Sequence, residues 1–419
     1  MSVIAETSEL ADISEMVRAG ERLSFADGVR LYRTRDIHTL GELATVARER
    51  LHGKTAYYNI NRHINYSNIC VLRCKFCSFY RPYPKDAPAT ETKEPRVPAR
   101  REKPDLSGAR ANQDWEQLLP VIDESRKLKL AAPSDTYELS IDQIVARARE
   151  AHEHGATEVH IVGGLHPTLP FDYYLDMCRG IKTACPDLHI KAFTAIEIIH
   201  FTRITKPRLS IREVLEQLRE AGLDSLPGGG AEIFDDRVHD EAYKNKVGEK
   251  GWFDVHRTAH EMGIFSNATM LYGHIESIED RVRHMIKLRE HQDESLADRA
   301  AHFNCVVPLS FIPDDSDLSH LPGPTGLDDL RTLALARLMC DNIPHIKAFW
   351  IMQTPKLAQV SLNWGVDDLD GTVVWYDITK REGHGTHQEL TVDKMKRLIT
   401  EAGYDPTERD TLYRPVQQK

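Results

Sequence analysis

The stretch Ala56-Tyr-Tyr-Asn-Ile-Asn-Arg-His-Ile-Asn-Tyr-Ser67 alternates, in part, as a β-strand does. It runs directly into Asn68-Ile-Cys-Val-Leu-Arg-Cys-Lys-Phe-Cys-Ser-Phe-Tyr80, so a strand delivers three cysteines in the loop at its C-terminal end. Downstream the pattern becomes regular. Helical spacing is expected near 140–154, 171–184, 210–221, 251–262 and 277–291, and strands at 158–164, 189–195, 225–230, 265–272 and 304–311. About six strand–helix units in a row, with no run of antiparallel hairpins, predict a parallel sheet wrapped by helices. The fold class is therefore α/β, a TIM-type barrel, partial or complete. It spans residues 56–380, with a helical N-terminal extension over 1–55 and a helical C-terminal tail over 381–419.

In such a barrel the active site lies where the strands end, so the loop chemistry is read first. Cys70, Cys74 and Cys77 follow the first strand as Cys-x-x-x-Cys-x-x-Cys. Three thiolates hold three irons of a [4Fe–4S] cube and leave the fourth open to bind substrate or cofactor. A zinc site would call for a fourth Cys or His close by, and no His follows Cys77 until His152. Seven cysteines in 419 residues do not make a disulfide framework, and Cys178, Cys185, Cys305 and Cys340 read as small buried hydrophobes.

The other strand ends carry Gly163-Gly-Leu-His166, Thr194-Ala-Ile-Glu197, Pro227-Gly-Gly-Gly-Ala-Glu232 and Tyr272-Gly-His-Ile-Glu276. Glycines there permit positive φ or close backbone approach to a ligand, and they equally punctuate turns. Arg62 and His63 point to opposite faces of a regular strand, so only one of them faces the lumen and the other is structural.

Net charge is minus 10, from 54 basic and 64 acidic residues. Together with the lack of long basic blocks, it argues against nucleic acid as a partner. No run reaches the 18 or so apolar residues that span a bilayer, and the first residues lack a basic leader, so no membrane association and a cytoplasmic location are expected. The interval 84–135 is polar, and its first part is too poor in apolar residues to order itself. It reads as a tolerated surface insertion, with a lid as the alternative. Oligomeric state is left open.

The cysteine spacing, with Phe76 between the second and third thiol, resembles the radical S-adenosylmethionine superfamily. Five further segments are similar to the aminofutalosine synthase family of the futalosine route to menaquinone. They are Asn61–Cys70, Val159–Pro167, Lys191–Glu197, Ser225–Phe234 and Ser266–His274. The resemblance covers about residues 56–380. It implies a [4Fe–4S] cluster on Cys70, Cys74 and Cys77 whose open iron binds S-adenosylmethionine, and a 5′-deoxyadenosyl radical that adds to 3-[(1-carboxyvinyl)oxy]benzoate. Rearrangement and loss of a carboxylate then give 6-amino-6-deoxyfutalosine, with S-adenosylmethionine consumed as co-substrate and flavodoxin or ferredoxin as electron donor. From their placement at or near strand ends, Gly163, Gly164, Glu197, Gly229, Gly230, Glu232 and Asn267 are expected at the cofactor, and His166, His274 and Arg62, with His63 beside it, are candidates to orient the substrate carboxylates. The two glutamates have salt bridges to a neighbouring loop as their alternative. Dehypoxanthine futalosine cyclase and the deazaflavin-forming enzymes are related alternatives, and a non-catalytic iron–sulfur electron carrier is a remote one.

Overall fold

A computed structural model of the chain describes residues 9–83, 136–372 and 389–416. The polar interval 84–135 and the stretch 373–388 lie outside the described residues, so the insertion, the lid and the end of the barrel at 380 fall there too. The strand at 56–67 is bent at Ile60 into β1 (Thr55–Asn59) and β2 (Asn61–Ile64) and ends before the cysteine loop. β2 pairs in parallel with β3 (Glu158–Ile161), and β3 with β4 (His189–Ala192). A minimal fourth strand, Ser225-Leu226, bridges Lys191 on one side and Ser266 on the other. β5 (Ser266–Tyr272), β6 (Phe303–Ser310) and β7 (His345–Ile346) follow in parallel. β8 (Asp368–Gly371) bridges back from Lys347 and pairs with β1. Counting β1 and β2 as one bent strand, eight parallel strands among the described residues close on themselves, which resolves the partial-or-complete question in favour of a complete TIM-type barrel.

The helices are α1 (Ala11–Ala19), α2 (Phe25–Arg33), α3 (Ile37–His52), α4 (Ile141–Glu153), α5 (Phe171–Ala184), α6 (Ala195–Ile204), α7 (Ile211–Ala221), α8 (Asp236–Ala242), α9 (Glu249–Glu261), α10 (Ile278–Asp298), α11 (Gly326–Met339), α12 (Trp350–Gln353), α13 (Pro355–Ser361) and α14 (Val392–Glu401). Sharp starts reflect side-chain caps. Ser140, Ser210 and Ser277 each accept a hydrogen bond from the third helical amide while that residue's side chain accepts from the cap, satisfying two otherwise orphaned donors. No described helix is long and apolar enough to cross a membrane.

The expected helical tail needs correction. It holds α14, but it also supplies β9 (Asp405–Glu408), which pairs in parallel with β1 beside the start of β3. The residues after β9 fill the barrel floor. Arg409 is fully buried and bonds Asp368 (Nε to Oδ2, 2.8 Å), Tyr413 donates to the same oxygen (2.6 Å), and Thr411 donates to Glu158 (2.6 Å). Lys191 pairs with Glu158 from the next strand at 3.0 Å. Three cations, counting Lys347, thus face three carboxylates, counting Asp370, with no exposed partner. Buried ions are tolerated only when balanced in this way.

Candidate active site

Above the floor, at the C-terminal ends of the strands, lies a cavity of about 300 Å³. All three cysteines of the loop line it, as do Gly163, Gly164, Glu197, Gly229, Gly230, Glu232 and Asn267. The loop is stitched to the barrel by the Val71 amide to the Leu165 carbonyl (3.0 Å), to α8 by Lys75 to Ala242 (2.9 Å), and to itself by Cys70 to Arg81 (3.0 Å).

The thiols fit an iron–sulfur cluster. Burial pushes all three up, Cys74 to about 12, so thiolates there require compensating positive charge. Iron supplies such charge, and Lys246 adds to it from the cavity wall. Donors already aim at sulfur: the Leu72 amide at Cys70 Sγ (3.4 Å), and the Tyr80 and Phe79 amides at Cys77. Such bonds stabilise cluster thiolates. The remaining cysteines, Cys178, Cys185, Cys305 and Cys340, are buried and scattered, as small hydrophobes are.

The glycines of the Gly163-Gly164 pair serve the chain itself. A Cβ on Gly163 would stand 2.5 Å from the Tyr66 ring, and one on Gly164 would overlap the Ile69 carbonyl next to Cys70. Gly230 has φ of +96°, which only glycine adopts without strain, and packs on Ile196. Glu197 is the third residue of α6, a helix the sequence reading missed because Phe193 turns the chain at φ of +63° two residues before it. Its carboxylate accepts from Tyr66 (2.8 Å) and from the Thr194 amide (2.7 Å) and hydroxyl (2.8 Å). Burial lifts it to about 7 despite those donors. Glu232 forms a salt bridge to a neighbouring loop, through Lys246.

Three expected substrate residues stand elsewhere. Arg62 points to the helix layer and pairs with Glu150 of α4 at 2.6 Å, because it alternates with His63, which lines the cavity. His166 is buried outside the lining. Its Nδ1 accepts the Thr168 and Leu169 amides (3.2 and 3.1 Å), which puts the ring proton on Nε2, 3.1 Å from Glu138. His274 is buried outside the lining as well, with Nε2 on the Leu271 carbonyl (3.0 Å) and Nδ1 3.3 Å from Glu276. Glu276 is in turn held by Arg281 (2.7 Å), which reaches Asp328 of α11. Both histidines brace loops.

The lining contains His63, which the sequence reading weighed against Arg62, and His160, Lys347 and Asp370, which it did not single out. His63 stacks on His160 (ring centroids 4.4 Å apart), and burial holds His63 down to about 4, so both rings are neutral near pH 7. Next to them Lys347 donates to Asp370 at 2.7 Å, and Asp370 adopts φ of +63°, a strained conformation for a non-glycine residue at a strand end. No periodicity could reveal these two. β7 is two residues long, and Asp-Leu-Asp-Gly in β8 reads as a turn.

With this geometry described, likeness to known proteins can be stated. The profile of the radical SAM superfamily matches residues 64–288, and that of the CofH/MqnC C-terminal region matches residues 300–419. The two regions share one barrel, since β6–β9 lie in the second. The chain is 43% identical to aminodeoxyfutalosine synthase of Thermus thermophilus, over 97% of this chain and 96% of that protein. It is 36% identical to that of Streptomyces coelicolor, over 97% and 94%. A 5-amino-6-(D-ribitylamino)uracil–L-tyrosine 4-hydroxyphenyl transferase of Methanopyrus kandleri is 33% identical over 91% and 90%. Among solved structures, methylornithine synthase superposes with a TM-score of 0.65 at 15% identity, covering 94% of this chain and 97% of that one, a likeness of fold. The chain belongs to the radical S-adenosylmethionine superfamily and, within it, to the enzymes that carry the CofH/MqnC C-terminal region, the aminodeoxyfutalosine synthases among them.

Proposed function

We propose that the chain joins the 5′-deoxyadenosyl group of S-adenosylmethionine to 3-[(1-carboxyvinyl)oxy]benzoate, with rearrangement and loss of one carboxylate, to give 6-amino-6-deoxyfutalosine for menaquinone synthesis in the cytosol. The observation that carries this reading is the likeness, over 97% of the chain, to two aminodeoxyfutalosine synthases. A [4Fe–4S] cluster on Cys70, Cys74 and Cys77, when bound, supplies the electron that cleaves S-adenosylmethionine to a 5′-deoxyadenosyl radical.

The chain's own residues do the binding and orienting. Lys347, 5% exposed, is a cation in the lining suited to one carboxylate of the substrate, and Asp370 holds its ammonium in place. Val307, Leu309, Phe311 and Phe349 offer apolar surface for an aromatic ring and keep water from a reactive carbon. His63 and His160 remain neutral and act as hydrogen-bonding walls, since burial disfavours their charged forms. A flavodoxin or ferredoxin is the proposed electron donor.

The test is anaerobic reconstitution, reduction, and incubation with S-adenosylmethionine and 3-[(1-carboxyvinyl)oxy]benzoate, with products read by mass spectrometry. An adenine-containing adduct is expected. Cleavage of S-adenosylmethionine without that adduct overturns the reading. Consumption of tyrosine with a ribitylaminouracil would instead favour the chemistry named for the Methanopyrus relative.

A further inference from the structure

Lys246 lies in the turn between α8 and α9, in the polar run Tyr243-Lys-Asn-Lys-Val-Gly248. That turn is closed by its own hydrogen bonds and tied to the cysteine loop. The Lys246 amide donates to the Tyr243 carbonyl (2.8 Å), its own carbonyl meets His239 Nε2 (3.0 Å), and the Lys75 amide donates to Ala242 (2.9 Å). Phe76 sits edge-on to the Tyr243 ring at 5.8 Å, and the Lys246 ammonium lies 5.1 Å from the centre of the Phe76 ring. From there it bonds Glu232, and both side chains are nearly buried, at 11% and 8% exposure.

The ammonium also lines the same cavity as Cys74 and Cys77, within electrostatic reach of both. A cluster held by three thiolates becomes more negative by one charge on reduction. A fixed cation in a poorly hydrated site stabilises that reduced form more than the oxidised one, and a fixed anion does the reverse.

We propose that the Lys246–Glu232 pair sets the reduction potential of the cluster: Lys246 is a positioning residue that raises it, and Glu232 is the counter-charge that limits the rise. The pairing explains why a buried lysine stands beside cysteines that need no further ligand, and why its partner belongs to the glycine-rich strand end opposite. The inference rests on the three-cysteine cluster and not on the identity of the substrate.

The experiment is a potentiometric titration of reconstituted holoenzyme with dithionite and mediators, followed by electron paramagnetic resonance, with neither S-adenosylmethionine nor substrate added. Lys246→Met is expected to move the midpoint to more negative potential and Glu232→Gln to less negative potential. Lys246→Arg should stay near the parent value. Equal midpoints across the series, or shifts of the same sign in Lys246→Met and Glu232→Gln, overturn the proposal. Should Lys246→Met fail to take up iron, Glu232→Gln decides alone, and a midpoint that is unmoved or more negative overturns it. A wrong product in the mass-spectrometric assay would leave these midpoints unaffected, so the two readings fail separately.

Discussion

Gly164 and Ile69 are packed so closely that no side chain fits between them: a Cβ on Gly164 would overlap the Ile69 carbonyl, while the Gly164 amide donates to Ser67 at 2.8 Å. The residue after Ile69 is Cys70, so this contact sets where the cysteine loop leaves the barrel. Gly164→Ala should force the loop outward at a cost of about 1–3 kcal/mol, since the obstruction is backbone and not a flexible side chain. Iron content and visible absorbance after reconstitution should fall several-fold with far-ultraviolet circular dichroism unchanged. Gly248→Ala, which meets nothing within 4 Å, is the control. Full cluster loading in Gly164→Ala would show that the close approach does not position Cys70.

Lys347 is expected to act on substrate affinity and not on the cluster. Lys347→Gln should raise the KM for the benzoate substrate about tenfold or more, equivalent to about 1.4 kcal/mol of lost binding. Cluster absorbance and the affinity for S-adenosylmethionine should hold. An unchanged KM would remove Lys347 from the substrate site.

The floor makes a prediction about stability alone. Arg409→Met leaves Asp368 buried with its guanidinium partner gone, and Tyr413 as a remaining donor. Breaking a buried pair from one side costs about 3–5 kcal/mol, read as a lower denaturant midpoint of the apoprotein. A loss below about 1 kcal/mol would mean that water reaches Asp368 and offsets the change.

Acid should destabilise the fold before most carboxylates titrate, Glu197 at about 7 being the exception and acting with the opposite sign. Burial holds His63 at about 4 and His284 at about 3, and holds His256 and His260 well below the ordinary histidine value too. These folded values lie below the unfolded value near 6.5. The unfolded chain therefore binds the extra protons, and stability that is complete above about pH 6.5 is lost as pH falls toward 3. Each group contributes a slope of up to about 1.4 kcal/mol per pH unit. Urea melts of the apoprotein between pH 7.5 and 5 should reveal the decline. His284→Gln, which can still accept from Phe234 and donate to Thr269, should make it shallower. A stability flat across that range would mean the rings are hydrated.

The barrel, the cysteine loop and most helices were legible because each rests on a local pattern: partial alternation over residues 56–67, and helical spacing in α4, α7 and α10. The lining of the cavity was legible where it depends on loop composition, as for Cys70, Cys74, Cys77 and Glu232. It failed where direction decides. His166 and His274 stand at strand ends, yet their rings turn into the loops, and no spacing records which way a ring points after a glycine. Arg62 and His63 could be known to oppose each other but not which faced inward. Lys347 and Asp370 went unseen because closure of a barrel can make a strand of two to four residues, too short for any period to show.

The pairing of β1 with β9 gives the barrel an order of completion. Tyr58 and Glu408 are register partners, so the first strand made on the ribosome waits for nearly the last residues of the described chain. Until Arg409, Thr411 and Tyr413 arrive, Glu158 has Lys191 but not the Thr411 hydroxyl, and Asp368 lacks its guanidinium and phenol donors. The cysteine loop, made early, therefore spends most of synthesis above an unfinished floor.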